Sequence, residues 1–280
     1  MRDVNVETIT EYVKEMCMEC NITLSEDMKQ ALDGAFGSET NETGKSILSM
    51  IEKNLEIAKE ERIPICQDTG MAVVFLEVGQ EVHFTGGNIE EAINKGVALG
   101  YKEGYLRMSV VDDPIIRNNT NNNTPAVIHY EIVPGDKVKI TLAPKGFGSE
   151  NMSRVYMLKP ADGSCGVVES IVSAVSEAGP NACPPMVIGV GVGGTFEKSA
   201  ILAKKALLRK VGEHSPKEHI AKLEAEALEK INKLDIGPAG LGGKTTALCV
   251  NIETFATHIA GLPVAVNICC HVNRHVTREV

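Results

Sequence analysis

Eight cysteines stand in this 280-residue chain, and three of them sit where a thiolate could do chemistry. Cys66 follows Pro64 and is followed directly by Gln67 and Asp68. Cys183 lies in Asn181-Ala182-Cys183-Pro184-Pro185, a rigid non-helical loop ahead of an apolar run. Cys270 ends another apolar run, with His271 and Arg274 just beyond it. Thiols at loops and strand ends, beside polar groups, suit thiolates that converge on one inorganic centre. Intervals of 117 and 87 residues do not establish that convergence. The residues by themselves are as compatible with an iron–sulfur or zinc site as with none.

The remaining thiols read differently. Cys17 and Cys20 form a lone C-x-x-C near the end of an amphipathic helix, and without a second pair they read as packing residues. Cys249, inside Ala247–Val250, reads as a small buried hydrophobe. Cys165 falls at an expected helix start with nothing nearby to complete a site. Two glycine-rich segments also resemble binding loops. Gly189–Gly194 matches G-x-G-x-x-G, but the place of the ribose-binding acid is taken by Glu213, between two helices. Gly237–Thr246 ends like a P-loop, yet Pro238 occupies the first glycine position and a helix precedes a strand, the reverse of a P-loop. It reads as a turn or an anion-binding loop.

The elements that must position these residues alternate irregularly. Ile47, Leu48, Ile51, Leu55 and Ala58 share one helical face. Met71–Val78 reads as a strand, and Asn88–Tyr101 as a helix capped by Asn88. Arg117–Pro125 reads as an exposed loop. Ala126–Val133 and Lys137–Leu142, separated by Pro134-Gly135-Asp136, read as a hairpin. Helices are expected at Glu150–Leu158, Ser164–Glu177, Thr195–Val211 and Pro216–Leu234, and strands at Met186–Val190, Thr246–Ile252 and Val264–Ile268. This mixture of helices and short sheets predicts an α+β fold, a single domain over 1–280 with room for two lobes.

Composition narrows the function. The net charge is −9, from 28 basic and 37 acidic residues, and there is no Trp. An acidic chain poor in aromatics is not expected to bind nucleic acid or an anionic membrane. Met1–Glu7 lacks an apolar core and no run of about 18 apolar residues occurs. A cytoplasmic location without membrane attachment is expected.

Five ordered segments then carry a resemblance. They are Ile65-Cys66-Gln67-Asp68-Thr69-Gly70, Gly146-Phe147-Gly148-Ser149-Glu150-Asn151, Asn181-Ala182-Cys183-Pro184-Pro185, Gly240–Thr246 and His258-Ile259-Ala260-Gly261-Leu262-Pro263. Over nearly its full length the chain resembles the alpha subunits of class I iron–sulfur fumarate hydratases and the related tartrate dehydratases. Phe147 stands where many relatives would carry another Gly. The resemblance implies a 4Fe–4S cluster held by Cys66, Cys183 and Cys270, with Cys269 the competing choice for the third ligand. One iron without a protein ligand would act as Lewis acid in the reversible hydration of fumarate to malate.

By the same matches, Gln67 and Asp68 lie at the substrate, with Asp68 donating a proton to the departing hydroxide or orienting it. Arg107 binds a carboxylate of a small dicarboxylate substrate, Gly148 offers a backbone donor, and His258 lies near the substrate. The resemblance implies that a general base and further cations come from a separate beta subunit, two of each chain associating. The alternatives are an L-tartrate dehydratase alpha subunit and, in another class, a non-catalytic cluster carrier.

Overall fold

The computed structural model describes residues 1–280. The chain runs β1 (Arg2–Asn5), α1 (Val6–Ile22), α2 (Glu26–Ser38), α3 (Glu42–Glu61), β2 (Met71–Gly79), β3 (Val82–Thr85), α4 (Ile89–Glu103), β4 (Val127–Val133) and β5 (Val138–Lys145). It continues α5 (Phe147–Glu150), β6 (Arg154–Leu158), α6 (Gly163–Ala178), β7 (Met186–Gly193), α7 (Phe196–Ala206), α8 (Glu218–Asn232), β8 (Ala247–Phe255), β9 (Leu262–Cys269) and β10 (Val276–Glu279). The fold is α+β, and no helix is long and apolar enough to cross a membrane. Two compact units emerge. The first comprises Met1–Leu24, Leu55–Phe147 and Arg274–Val280, and the second Ser25–Asn54 and Gly148–Asn273.

In the first unit a four-stranded sheet has the order β10-β5-β2-β4. Helices α1 and α4 start cleanly: Asn5 caps Glu7 N at 2.9 Å, and Asn88 caps Glu90 N and Glu91 N at 2.8 and 3.1 Å. Such side-chain acceptors satisfy otherwise orphaned N–H groups. Ile9, Val13 and Met16 of α1, with Ile93, Val97 and Tyr101 of α4, bury against Val74, Leu76, Ile140 and Leu142 of the sheet. The two helices approach closely because Gly96 and Gly100 lack side chains. A Cβ there would stand 2.6 Å from Thr10 O and 2.7 Å from Lys14 O.

The expected hairpin is not formed. β2 lies between its two arms, parallel to β4 and antiparallel to β5. The reason is visible in β2, whose central residues are buried throughout; an apolar strand of that kind needs neighbours on both edges. Gly79 N donates to Lys137 O at 2.8 Å and Gln80 N to Val133 O at 2.8 Å, so the end of β2 separates the arms.

The second unit has the sheet order β6-β9-β7-β8. Val168, Ile171 and Val175 of α6, with Ile220, Ala227 and Ile231 of α8, pack on Ile188, Val250, Val266 and Ile268. Helix α7 lies against β7. A Cβ at Gly189 would meet Ala203 O at 2.2 Å, and one at Gly191 would meet Ser199 O at 2.0 Å. The G-x-G-x-x-G segment is therefore a packing notch for a helix, not a dinucleotide turn. The helix expected over Glu150–Leu158 is also corrected. Its first residue closes α5, and β6 follows with alternating half-buried and exposed residues, paired antiparallel to β9. Burial alternating at period two, decided by that partner, overrides the local helical reading.

Candidate functional site

In the first unit, the loop between α3 and β2 presents Cys66, Gln67 and Asp68. Every polar group of Asp68 is engaged. Its N–H donates to Cys66 Sγ at 3.4 Å, and its carbonyl accepts from Arg274 Nη2 at 2.5 Å. Oδ1 accepts from Gly70 N at 3.0 Å and Oδ2 from Phe147 N at 2.9 Å. A Cβ on Gly146 would come within 3.0 Å of Oδ2, so the strand end is shaped to this carboxylate. Cys66 and Asp68 are half-buried, and Gln67 is exposed.

The next residue fixes Arg107. The buried Thr69 hydroxyl accepts from Arg107 N at 3.0 Å and lies 3.3 Å from Arg107 O. This clamp holds the Arg107 main chain beside the loop and leaves its side chain exposed. Tyr101 OH lies 2.7 Å from Thr69 O and 2.9 Å from Gly70 O. Burial pushes its hydroxyl well above the ordinary range, so it serves as a permanent donor. Asn123 Nδ2 adds a bond to Gly70 O at 3.1 Å, while its Oδ1 accepts from Ser109 N and Val110 N. Asn123 is fully buried, although its neighbours form the polar loop expected there. Only its burial marks it out.

In the second unit, Cys183 and Cys270 are brought together by strand pairing. β7 and β9 run antiparallel with Val187 opposite Cys269, so the entrance of one strand meets the exit of the other. His271 N donates to Cys183 O at 3.4 Å, and His271 Nδ1 lies 3.0 Å from the same oxygen. Burial lowers the His271 pKa below its ordinary value, against the opposing pull of that carbonyl, so the ring is neutral with Nδ1–H as donor. Cys183 itself holds a left-handed conformation, with φ 53° and ψ 64°, which a non-glycine residue adopts at a cost of about 1–2 kcal/mol. A built Cβ on Gly148 meets nothing nearer than Asn181 O at 3.8 Å, leaving its exposed surface open.

His258 is placed apart from these thiols. It lies on the exposed loop before β9, whose eight residues separate it from Cys270, a span of roughly 26 Å at about 3.3 Å per residue. Its Nδ1 accepts from Ala260 N at 3.2 Å, leaving Nε2 to carry the proton of the neutral ring.

The eight cysteines are thiols rather than disulfides. Cys17, Cys20, Cys249 and Cys269 are buried, and burial pushes the Cys20 and Cys249 thiols up to about 12. The C-x-x-C pair therefore packs as expected. Cys165 is exposed in the first turn of α6, on a groove between α6 and β6 that holds none of the other residues above. The thiols left reachable at loops are Cys66, Cys183 and Cys270.

The Gly237–Thr246 loop has its own internal anion. Glu39 accepts from Thr40 N and Asn41 N at 2.8 and 2.9 Å and from Lys244 N at 2.8 Å. These amides are thus occupied by a carboxylate. The loop also buttresses Cys183: Ala239 N donates to Pro184 O at 2.9 Å, and a Cβ on Gly240 would strike Pro180 Cβ at 2.2 Å. Burial acts to raise the Glu39 pKa, but N–H donation from Asn41, Thr40, Lys244 and Thr245 outweighs it and holds the carboxyl below its usual 4.5. A depressed folded pKa contributes stability above the unfolded value, and that contribution is lost as pH falls through the folded one. Glu39→Gln is therefore expected to lower stability near neutrality by about 1.5–3 kcal/mol and to flatten the acid limb below about pH 4.5. Urea melts of both proteins across that range check this; parallel pH profiles would count against it.

The chemistry-bearing groups of this α+β fold are thus loop thiols, an immobilised Asp68 and a clamped Arg107, and neither glycine-rich segment forms a nucleotide turn. The chain belongs to the fumarate hydratase (fumerase) family, whose model matches residues 10–279. It is an alpha subunit of that hydro-lyase family. A Methanocaldococcus jannaschii protein with the provisional name L(+)-tartrate dehydratase subunit alpha is 42% identical over 278 residues, covering 97% of each chain. The L(+)-tartrate dehydratase subunit alpha of Escherichia coli strain UTI89 is 32% identical over 279 residues, 98% of this chain and 91% of its own. That of strain K12 is 31% identical over 276 residues, 97% and 90%.

Proposed function

We propose that the chain is the alpha subunit of an iron–sulfur hydro-lyase that reversibly hydrates a small four-carbon dicarboxylate, fumarate to malate. The observation that carries this reading is Asp68, pinned at all four polar groups directly after a reachable thiol and beside a clamped Arg107.

Cys66, Cys183 and Cys270 are assigned as ligands of a 4Fe–4S cluster. The donor set fits: these three thiols are reachable at loops, and Cys66 already accepts a main-chain N–H bond of the kind that stabilises thiolates. The buried Arg274 guanidinium, with Nε and Nη1 lacking partners, suits an anionic group in the same unit. When bound, a cluster with three protein ligands supplies a Lewis acid for the substrate oxygens.

The chain's own residues do the rest. Arg107 offers a planar fork to one substrate carboxylate. Gln67 presents an amide that can donate or accept. Both Asp68 oxygens accept backbone N–H bonds and keep lone pairs for a third donor. That favours orienting the departing or arriving water over delivering a proton to it. Gly148 allows a substrate oxygen to approach its N–H without a Cβ in the way. His258 is assigned to the substrate on motif resemblance, and its position beyond the far end of β9 makes it the assignment that this unit's geometry supports least. The general base and further cations are assigned to a beta subunit, consistent with relatives named as alpha subunits. The work is placed in the cytoplasm, with neither nucleic acid nor membrane as partner.

The second reading, dehydration of L(+)-tartrate, is favoured by the names of the relatives. Anaerobic reconstitution of the chain with and without its partner, followed by turnover of fumarate, malate and L(+)-tartrate, tests both. The pair is expected to turn over a dicarboxylate, and the larger kcat/KM identifies it. The chain alone is expected to load a cluster without turnover; activity of the chain alone would overturn the split site. A cluster whose spectrum none of the three dicarboxylates perturbs would instead leave a non-catalytic carrier.

A further inference from the structure

Arg274 is 4% exposed, yet its guanidinium is barely matched. Of its three nitrogens, Nη2 reaches Asp68 O, while Nε and Nη1 are buried with no partner. No ion pair involves it. A buried guanidinium normally sits in a fork with a carboxylate, because leaving five donors and a full charge desolvated is costly. The nearest ionisable groups do not supply the missing charge. Cys20 and Tyr101 are held neutral by burial, and Arg274 reaches Asp68 through its main-chain carbonyl rather than its carboxylate. Glu19, on the neighbouring helix turn, is paired with Arg278. None of these groups offers Arg274 a carboxylate fork, and Nε and Nη1 stay without partners.

We propose that Arg274 is the buried counter-charge of the Cys66 thiolate and its cluster, a positioning residue that also sets the cluster's reduction potential. The linkage runs through one residue: Arg274 holds the Asp68 carbonyl, and the Asp68 N–H donates to Cys66 Sγ. Arg274 Nε and Nη1, buried without partners, leave its positive charge unmatched. A positive charge and N–H donors near cluster sulfur favour the reduced, more negative state and so raise the potential. The proposal rests on Cys66 being a cluster ligand, as proposed above.

Two variants of the full chain, reconstituted anaerobically with its partner subunit, test it. Arg274→Met keeps length and removes charge; Arg274→Lys keeps charge and removes the fork. The Met variant is expected to show a more negative cluster potential and cluster loss to a chelator about ten- to a hundredfold faster, the usual penalty for losing an outer partner of a metal ligand. The Lys variant should restore the potential. Without cluster, the Met variant should melt no lower than the parent, since an uncompensated charge has been removed. An unchanged potential with a lower cluster-free melting temperature would reduce Arg274 to a structural clamp and overturn the proposal. A parent protein that loads while Arg274→Met matches it in potential and retention overturns the role of Arg274 alone. A parent protein that never takes up a cluster overturns the ligand assignment and this role with it.

Discussion

Cys270→Ser is expected to abolish cluster uptake and lower turnover by more than about a hundredfold, beyond the effect of losing an outer partner of a ligand. Cys269→Ala is expected to leave both intact. Adjacent strand residues point to opposite faces, and the structure shows what each face meets. Cys269 lies within the β9 ladder opposite Val187 and is 5% exposed, whereas Cys270 leaves the strand half-buried, directly before the His271 that grips Cys183. Cys269→Ala should cost only a packing increment of about 1 kcal/mol, read as a small drop in melting temperature. The decisive readings are the iron and sulfide content of each purified variant. A loaded Cys270→Ser protein beside an empty Cys269→Ala protein would exchange the assignments.

The second large effect falls on Asp68. Asp68→Asn is expected to lower kcat about a hundredfold, the cost of misplacing an oriented reactant. An amide has one acceptor oxygen where the carboxylate uses two. Its NH2 would face either Gly70 N or Phe147 N, turning a hydrogen bond of 2.9–3.0 Å into a donor–donor contact. The local cost is about 1–3 kcal/mol, small enough for the chain to fold and load its cluster. Asp68→Glu offers no rescue, because Phe147 N already stands 2.9 Å from Oδ2 and leaves no room for another methylene. Arg107→Ala should behave differently, raising KM more than it lowers kcat, since it removes binding from substrate and transition state alike. Steady-state kinetics on variants with matched cluster content separate the two. Retention of kcat within tenfold in Asp68→Asn would remove Asp68 from the chemistry.

Several features are legible in the sequence. Asn88 as a cap, the apolar strand after Gly70 and the packing role of Cys17 and Cys20 all follow from local pattern, and the structure has each of them. The hairpin failed because β4 and β5 share a good turn, but β2 is the more apolar strand and takes the place between them. Glu150–Leu158 failed because its period was set by pairing with β9, more than a hundred positions away in sequence at every step from Arg154 opposite Val266 to Leu158 opposite Leu262. Asn123 and Arg274 drew no notice as core residues because a polar side chain announces nothing about its own burial.

The sequence alone determined the donors: which thiols stand at loop and strand ends, and which polar residues follow them. It determined the α+β mixture too, since periodicity and capping act over a few neighbouring residues. The tertiary structure decided what those donors meet. Cys183 and Cys270 come together only because β7 and β9 pair antiparallel, and the Asp68 carboxylate is held only because the end of β5 passes beside it. It also left Arg274 buried without an acid. Strand pairing and desolvation depend on residues 79 to 206 positions apart in these cases, and no local pattern encodes them.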